Sequence, residues 1–218
     1  MSVKQSNVFN EGVKLYNNFI RELANSKTPL EDIKRLQIKY DNHSNFYERD
    51  FSFKDFYEKE TATVYVGCSK NFLKELKSNE VLFPIHGVSR FNGRDSSYEM
   101  MSNYLGWCGV FFGWVIPRED FEYSDTPTDC VLLTLEMPTK LLVPHGYYEW
   151  CDFIYCLIDT NSIEDAEETS QAEFNMSLNE KLVSTFYPNF DNPGVEVLIK
   201  YLDKDWIVDE KFVKSILI

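Results

Sequence analysis

The 218-residue sequence lacks the short motifs that would fix a common nucleotide-binding or hydrolytic chemistry. It contains neither G-x-x-x-x-G-K-[ST] nor G-x-G-x-x-G, so the glycine-rich phosphate loops of P-loop and Rossmann proteins are missing. It also contains no G-x-S-x-G and no H-E-x-x-H, which excludes the usual α/β-hydrolase and zinc protease motifs. The function must therefore be sought outside these classes.

Cysteine pairs and long apolar runs are also lacking. The five cysteines include no C-x-x-C pair and lie mostly in apolar segments, as buried thiols do in a reducing compartment. His145, Cys151 and Cys156 are close in sequence, but no second ligand cluster completes a zinc site, so we predict no metal. No apolar run approaches membrane-spanning length, and the first residues lack the core of a signal peptide. We expect a soluble, cytoplasmic protein that does not bind membranes.

Positive charge is scarce. The chain has 22 basic and 35 acidic residues, and its formal charge is −13. Such a field repels polyanions unless basic residues gather in one cleft, so broad nonspecific binding to nucleic acid is not expected. The charge does not exclude a nucleic-acid substrate that binds in a local groove. The hydrophobic content of 44% and the aromatic content of 16% indicate a folded, aromatic-rich protein.

Helical patterns come first in the chain. Residues 8–25, a segment that begins at Thr28 and a short segment from Ser52 all carry apolar residues at helical spacing. We therefore predict an N-terminal helical subregion over residues 1–60. Residues 61–218 mix short strands and helices without strict alternation, which favours an α+β domain over a doubly wound parallel sheet.

The second region is predicted to contain four clear strands. Ser69 is expected to cap a helix that follows the first of them. Residues 147–158 are apolar and stay open between helix and strand, and the last strand is expected at residues 212–218. The four strands are predicted at residues 63–68, 109–116, 130–137 and 194–201.

The last of these four strands carries a single carboxylate. Apolar residues occupy every second position from Val195 to Tyr201, so one face of the strand is apolar and Glu196 points the other way. Two interpretations are open at this point. Glu196 is a solvated side chain on an edge strand, or it is a functional group set in an apolar environment.

The segment from Val64 to Pro84 resembles the opening of ADP-ribosyltransferase-like domains. Those domains begin with a strand and continue into a helix with the pattern N-L-x-x-I-L-x-x-G-L. The matching positions here are Asn71, Phe72, Leu76 and Leu82. At Val66 the sequence departs from the family, whose first strand often carries a His or Arg that contacts the adenosine ribose.

The C-terminal part extends this resemblance to residues 63–218. Toxins of the DarT type, which modify DNA bases, carry their catalytic Glu on a late strand that reads like A-E-V-L-V, and this chain has V-E-V-L-I around Glu196. The segments CVLLTLEMP and LLVPHGYYEW also look like an uncharacterised bacterial family with a V-L-L-x-L-E-V-P block. The resemblance implies an ADP-ribosyltransferase-like split sheet, mixed or antiparallel.

The same resemblance implies an NAD-dependent mono-ADP-ribosyltransferase, a glycosyl-transferring enzyme. Glu196 would stabilise the oxocarbenium-like transition state in which the bond between ribose and nicotinamide breaks. The acceptor would be nucleic acid or protein. A bacterial toxin or phage-conflict effector of this kind implies a neutralising antitoxin protein as partner.

The implied NAD site draws on residues in three segments. Arg90 and Arg94 are candidates for the pyrophosphate, because a planar guanidinium can bind two phosphate oxygens. Tyr98 or Tyr104 could stack on nicotinamide, although tyrosines at helical spacing also suit a core. Weaker candidates are Tyr65 and Ser69 for the cofactor and His86 for the substrate.

A second class of function fits the same composition. An acidic, aromatic-rich protein without catalysis could bind and inhibit a basic partner. Val66 and the lack of a second convincing catalytic group favour this alternative, whereas Glu196 in a family-like context favours the enzyme.

Overall fold

The computed structural model describes residues 51–84, 110–118, 120–162, 181–182, 185–186 and 188–215. The first two predicted helices lie outside these residues, and so does the loop with His86, Arg90 and Arg94. The helix predicted to carry Tyr98 and Tyr104 also lies outside them. The division at residue 60 into a helical subregion and an α+β domain therefore stays a prediction.

Short strands and a few helices make up the described part of the chain. None of its helices combines the length and apolar character needed to cross a membrane. The elements are α1 (Phe51–Glu58), β1 (Thr61–Ser69), α2 (Lys70–Asn79), β2 (Val81–Leu82), β3 (Phe111–Ile116), β4 (Cys130–Pro138), β5 (Leu142–Gly146), α3 (Tyr147–Ser162), β6 (Val195–Ile199), β7 (Leu202–Asp203) and β8 (Ile207–Phe212), with 3-10 turns at Thr139–Leu141 and Lys204–Trp206.

Six of the described strands form one sheet in the order β5-β6-β3-β1-β4-β8. Every pairing in this sheet is antiparallel, and β2 and β7 form a separate antiparallel pair. The longest ladder joins β1 to β4, from Thr61 opposite Pro138 to Ser69 opposite Cys130. The predicted α+β class with a largely antiparallel sheet is confirmed.

The main core lies on the face of the sheet that α1 and α2 contact. Val64, Val66 and Cys68 alternate along β1 and are buried among Phe56 of α1 and Phe72 of α2. Full burial of such a side chain stabilises the fold by roughly 1.5–3 kcal/mol. The other face of β1 carries Thr63, Tyr65 and Gly67, which are half-buried.

Ser69 ends β1 and begins α2, as predicted. Its backbone is extended, and its Oγ accepts the N–H of Phe72 at 3.2 Å, which satisfies one of the free donors at the helix start. The cap lies where the chain passes from β1 into α2. Phe72 and Leu76 of α2 turn toward the core.

Two sequence predictions change in the structure. The ambiguous segment 147–158 is helical and belongs to α3. The prediction of a last strand from residue 212 onward is wrong for the described residues 213–215, because β8 ends at Phe212, where that strand was expected to begin. β8 is an edge strand with exposed residues from Val208 to Lys211, so it lacks the apolar alternation that identifies a half-buried strand.

Candidate active site

One row of directly paired residues crosses all six strands of the sheet. Residues opposite each other on antiparallel strands place their side chains on the same face of the sheet. The side chains of this row lie on the face opposite the main core. In strand order the row is His145, Glu196, Trp114, Tyr65, Thr134 and Asp209. The row is polar and aromatic throughout.

Exposure rises along this row from one end to the other. His145 and Glu196 have no exposed surface, and Trp114 is 6% exposed. Tyr65 is half-buried, and Asp209 at the edge of the sheet is exposed. The boundary between the covered and the open part of this face therefore runs between Trp114 and Tyr65.

Glu196 lies on an internal strand and is fully buried. The interpretation of Glu196 as a solvated residue on an edge strand is wrong, because β6 lies between β5 and β3. Its Oε2 is 2.9 Å from Nε2 of His145, which is buried as well. Burial of a carboxylate is unfavourable unless a hydrogen-bonding partner compensates for the lost water, and the imidazole provides one.

Sequence reasoning missed His145 as the partner of Glu196. His145 was considered only as a member of an incomplete zinc cluster. The described residues contain no group of three or more His, Cys, Asp or Glu side chains placed to hold a metal ion. The two residues are 51 positions apart, and their contact depends on the pairing of β5 with β6, which no local pattern announces.

Arg118 lies just beyond the end of β3, on two aromatic rings. Its guanidinium carbon is 4.1 Å from the centroid of the Tyr147 ring and 5.4 Å from that of Trp114, which are distances of cation–π contact. The two rings are 5.8 Å apart. A register shift between Trp114 and Ile116 marks a β-bulge, and bulges turn the strand and redirect the side chains that follow.

Gly194 holds the ends of three elements beside Arg118. Its N–H donates to the carbonyl of Ile116, and its carbonyl accepts the N–H of Tyr147, both at 2.9 Å. Its φ of +92° favours glycine, and a Cβ there would lie 3.3 Å from Cγ of Arg118 and 3.0 Å from the ring of Tyr148. The turn before β6 thus leaves room for the arginine stem.

The first-strand candidates have different surroundings. Tyr65 is directly paired with Trp114, and its ring centroid is 5.9 Å from that of Phe121. Ser69 pairs with Cys130 in another row, and its hydroxyl caps α2. Val66 points into the main core, on the face opposite Glu196, so a ligand contact on the face of Glu196 can come from Tyr65 but not from Val66.

The row and Arg118 together offer three kinds of chemistry. The buried carboxylate can stabilise a nearby positive charge, and the His145 ring can hold that carboxylate in one orientation. The guanidinium can bind an anion, and the half-buried ring of Tyr65 can stack on a planar group. Comparisons with protein-family models, curated proteins and solved structures give no match to this chain.

Proposed function

We propose that this chain is an NAD-dependent mono-ADP-ribosyltransferase with Glu196 as its catalytic carboxylate. The observation that carries the proposal is the environment of Glu196, a carboxylate without exposed surface that is hydrogen-bonded to His145. Charge interactions are stronger where water is excluded, so a carboxylate there can stabilise an oxocarbenium-like transition state effectively. The six-stranded antiparallel sheet and the separate β2-β7 pair support an ADP-ribosyltransferase-like split sheet.

His145 is the positioning residue in this proposal. Its Nε2–H donates to Oε2 of Glu196 and so restricts the carboxylate to one rotamer. A group held in place before the substrate binds needs little reorganisation in the transition state. Glu196 can then meet the ribose beside the bond to nicotinamide.

Access to Glu196 requires side chains to move, because the carboxylate is covered. Trp114 lies between Glu196 and the half-buried Tyr65 in the row, so the shortest way from the open part of this face leads past the indole ring. NAD binding would displace Trp114 and place a planar ring of the cofactor against Tyr65. Arg90, Arg94, Tyr98, Tyr104 and His86 remain further candidates for the site.

The acceptor of the ADP-ribose is proposed to be protein or a locally bound nucleic acid. A net charge of −13 opposes extended contact with a nucleic-acid backbone. Action as a bacterial toxin or phage-conflict effector, with a basic surface on its antitoxin, is consistent with this charge.

The proposal is tested by incubating the protein with NAD labelled on the adenylate and with protein, DNA or RNA acceptors. Glu196→Gln keeps the shape and a hydrogen-bonding oxygen but removes the charge, and it should reduce nicotinamide release and labelling about 100-fold or more. Glu136→Gln is the matched control, because Glu136 lies on β4 and accepts a hydrogen bond from Thr63 at 2.5 Å outside the row. A wild-type protein that releases no nicotinamide and labels no acceptor contradicts the proposal, and so does a Glu196→Gln variant with full activity.

A second candidate function is an acidic protein that binds and inhibits a basic partner without catalysis. The net charge of −13 favours it, and the complete burial of His145 and Glu196 is compatible with it, because a pair that only fixes the register of β5 and β6 needs no access to solvent. Under this alternative, Glu196→Gln lowers thermal stability while partner binding is retained, and NAD is not consumed by either protein.

A further inference from the structure

Arg118 has the properties of a preformed anion-binding residue. Among the residues that the structure describes, no carboxylate forms an ion pair with it, and its buried Nε has no hydrogen-bond partner. The chain has 35 acidic residues, and each of the described lysine ion pairs uses one of them. Its guanidinium carbon lies over the rings of Tyr147 and Trp114 instead of beside a carboxylate.

A guanidinium in contact with aromatic rings can still bind an anion through its N–H groups. The N–H groups of arginine point outward in the plane of the group, where they can form two parallel hydrogen bonds to an oxyanion. Arg118 is only partly buried, although its Nε is covered, so the exposed part of its side chain lies elsewhere than at Nε. Because the two ring contacts already restrict the side chain, binding an anion costs less additional side-chain entropy than it would for a free arginine.

The position of Arg118 ties this anion site to Glu196. Trp114, which the guanidinium contacts, is the direct neighbour of Glu196 in the row. Gly194, whose missing Cβ makes room for the arginine stem, directly precedes the strand that carries Glu196. An anion on Arg118 would therefore lie beside Trp114, the residue paired with Glu196.

We propose that Arg118 binds a phosphate of the pyrophosphate group of a dinucleotide, an inference that rests on the proposed NAD chemistry for the identity of the ligand. Phosphate oxygens match the two-pronged geometry of the guanidinium edge. The cation also offsets, at one point, the repulsion that a chain of charge −13 exerts on such a ligand. Arg118 thereby joins Arg90 and Arg94 as a third candidate for the pyrophosphate.

The first arm of the test measures binding by the full chain, with inorganic pyrophosphate and ADP as separate probes in a thermal shift assay and in calorimetry. We expect both probes to raise the Tm of the wild type, because a ligand that binds the folded state stabilises it. Arg118→Gln should weaken binding about tenfold or more, and Arg118→Lys should weaken it less, because lysine keeps the charge but not the planar edge. The control is Lys77→Gln, which removes an exposed cation paired with Glu210 at 2.6 Å.

The second arm measures NAD turnover by the same proteins. We expect Arg118→Gln to raise the KM for NAD about tenfold and to change kcat much less, as loss of a binding contact distant from the reacting bond should. Lys77→Gln should leave both constants unchanged. Far-UV circular dichroism checks the fold. If Arg118→Gln does not fold, Arg118→Lys is compared with wild type in both the binding and the turnover measurements.

The two arms separate failure of this inference from failure of the proposed function. If wild type binds neither probe, or if wild type and both Arg118 variants bind them equally, Arg118 is not an anion site and serves only as a packing residue. If Glu196-dependent turnover is observed and the Arg118 variants keep the wild-type KM, the enzyme proposal stands and this inference is wrong. If binding depends on Arg118 but no NAD is consumed, the anion site stands and the enzyme proposal fails.

Discussion

His145 and Glu196 occupy directly opposed positions on β5 and β6, and Nε2 of His145 lies 2.9 Å from Oε2 of Glu196 with both side chains fully buried. The contact joins two neighbouring strands of the sheet through their side chains. A shift of β6 by one residue would turn Glu196 into the main core and separate it from the imidazole. The pair thus fixes the register of the sheet besides any role in catalysis.

Breaking this pair from one side should destabilise the protein strongly. We expect His145→Ala and Glu196→Ala each to lower the free energy of unfolding by about 3–5 kcal/mol. Each variant keeps one member of the buried pair and replaces the other with an apolar methyl group. The double variant should lose less free energy of unfolding than the two single variants together, because both polar groups have been removed. Urea denaturation of the four proteins measures this coupling.

The exposed ion pair between Lys77 and Glu210 is the control for this cycle. Its atoms approach to 2.6 Å, but both side chains are about half-exposed. Truncation of either residue should change stability by at most about 1 kcal/mol. If the losses of unfolding free energy at His145 and Glu196 are additive and as small as those of the exposed pair, the two buried side chains are not coupled.

Gly194 and Glu80 both have a positive φ. We expect stability to fall when glycine is removed from the first position and to rise when it is introduced at the second. Gly194→Ala places a Cβ against Tyr148 at a φ of +92°, and we expect a loss of about 1–3 kcal/mol of unfolding free energy. Glu80 has a φ of +65° with a side chain, so Glu80→Gly should relieve strain and raise stability by about 1 kcal/mol. Thermal denaturation of both variants checks the signs, and a stabilising Gly194→Ala would contradict the described turn.

The buried thiol of Cys68 should make stability depend on alkaline pH. Burial is the main reason that its pKa rises to about 12, and the nearby charges of Glu210 and Cys130 add to the effect. The unfolded chain loses the thiol proton near pH 9, whereas the folded protein keeps it, so the unfolded state binds fewer protons between about pH 9 and pH 12. Stability therefore falls as pH rises through this window.

Cys68→Ala measures this contribution directly. The variant lacks the titrating group, so the stability difference between wild type and Cys68→Ala should shrink from pH 7 to pH 10.5. Alkylation at pH 8 gives an independent readout, because Cys68 should react more slowly than the half-buried Cys151 in the folded protein. A difference that is constant with pH would mean that the thiol titrates alike in both states.

The sequence predicts those features of the fold that depend on residues close together in the chain. The strand signal at residues 63–68 predicts β1, and Ser69 is the predicted cap of α2, because both depend on residues a few positions apart. The partner of Glu196 could not be found in the same way. His145 meets it only after β5 pairs with β6, and strand register depends on the whole sheet.

The same limit applies to Arg118. In the sequence it begins a polar, acidic stretch and resembles an ordinary solvated charge. Its contacts depend on the bulge after Trp114 and on Tyr147, which follows β5. Edge strand β8 was misplaced for a different reason, since its charged residues hide the periodicity of a strand.

Ser69 offers a test between a structural and a cofactor-binding role. Its hydroxyl accepts the N–H of Phe72, so Ser69→Ala should lower the unfolding free energy by about 0.5–2 kcal/mol, and Ser69→Asp should restore it because aspartate is an equally good cap. If Ser69 only caps α2, neither variant changes the KM for NAD under conditions where both are folded. If Ser69 also contacts the cofactor, Ser69→Asp recovers stability but places a negative charge near the phosphates, and its KM rises above that of Ser69→Ala. Chemical denaturation and steady-state kinetics on the same three proteins therefore separate the two roles, with stability and KM moving independently.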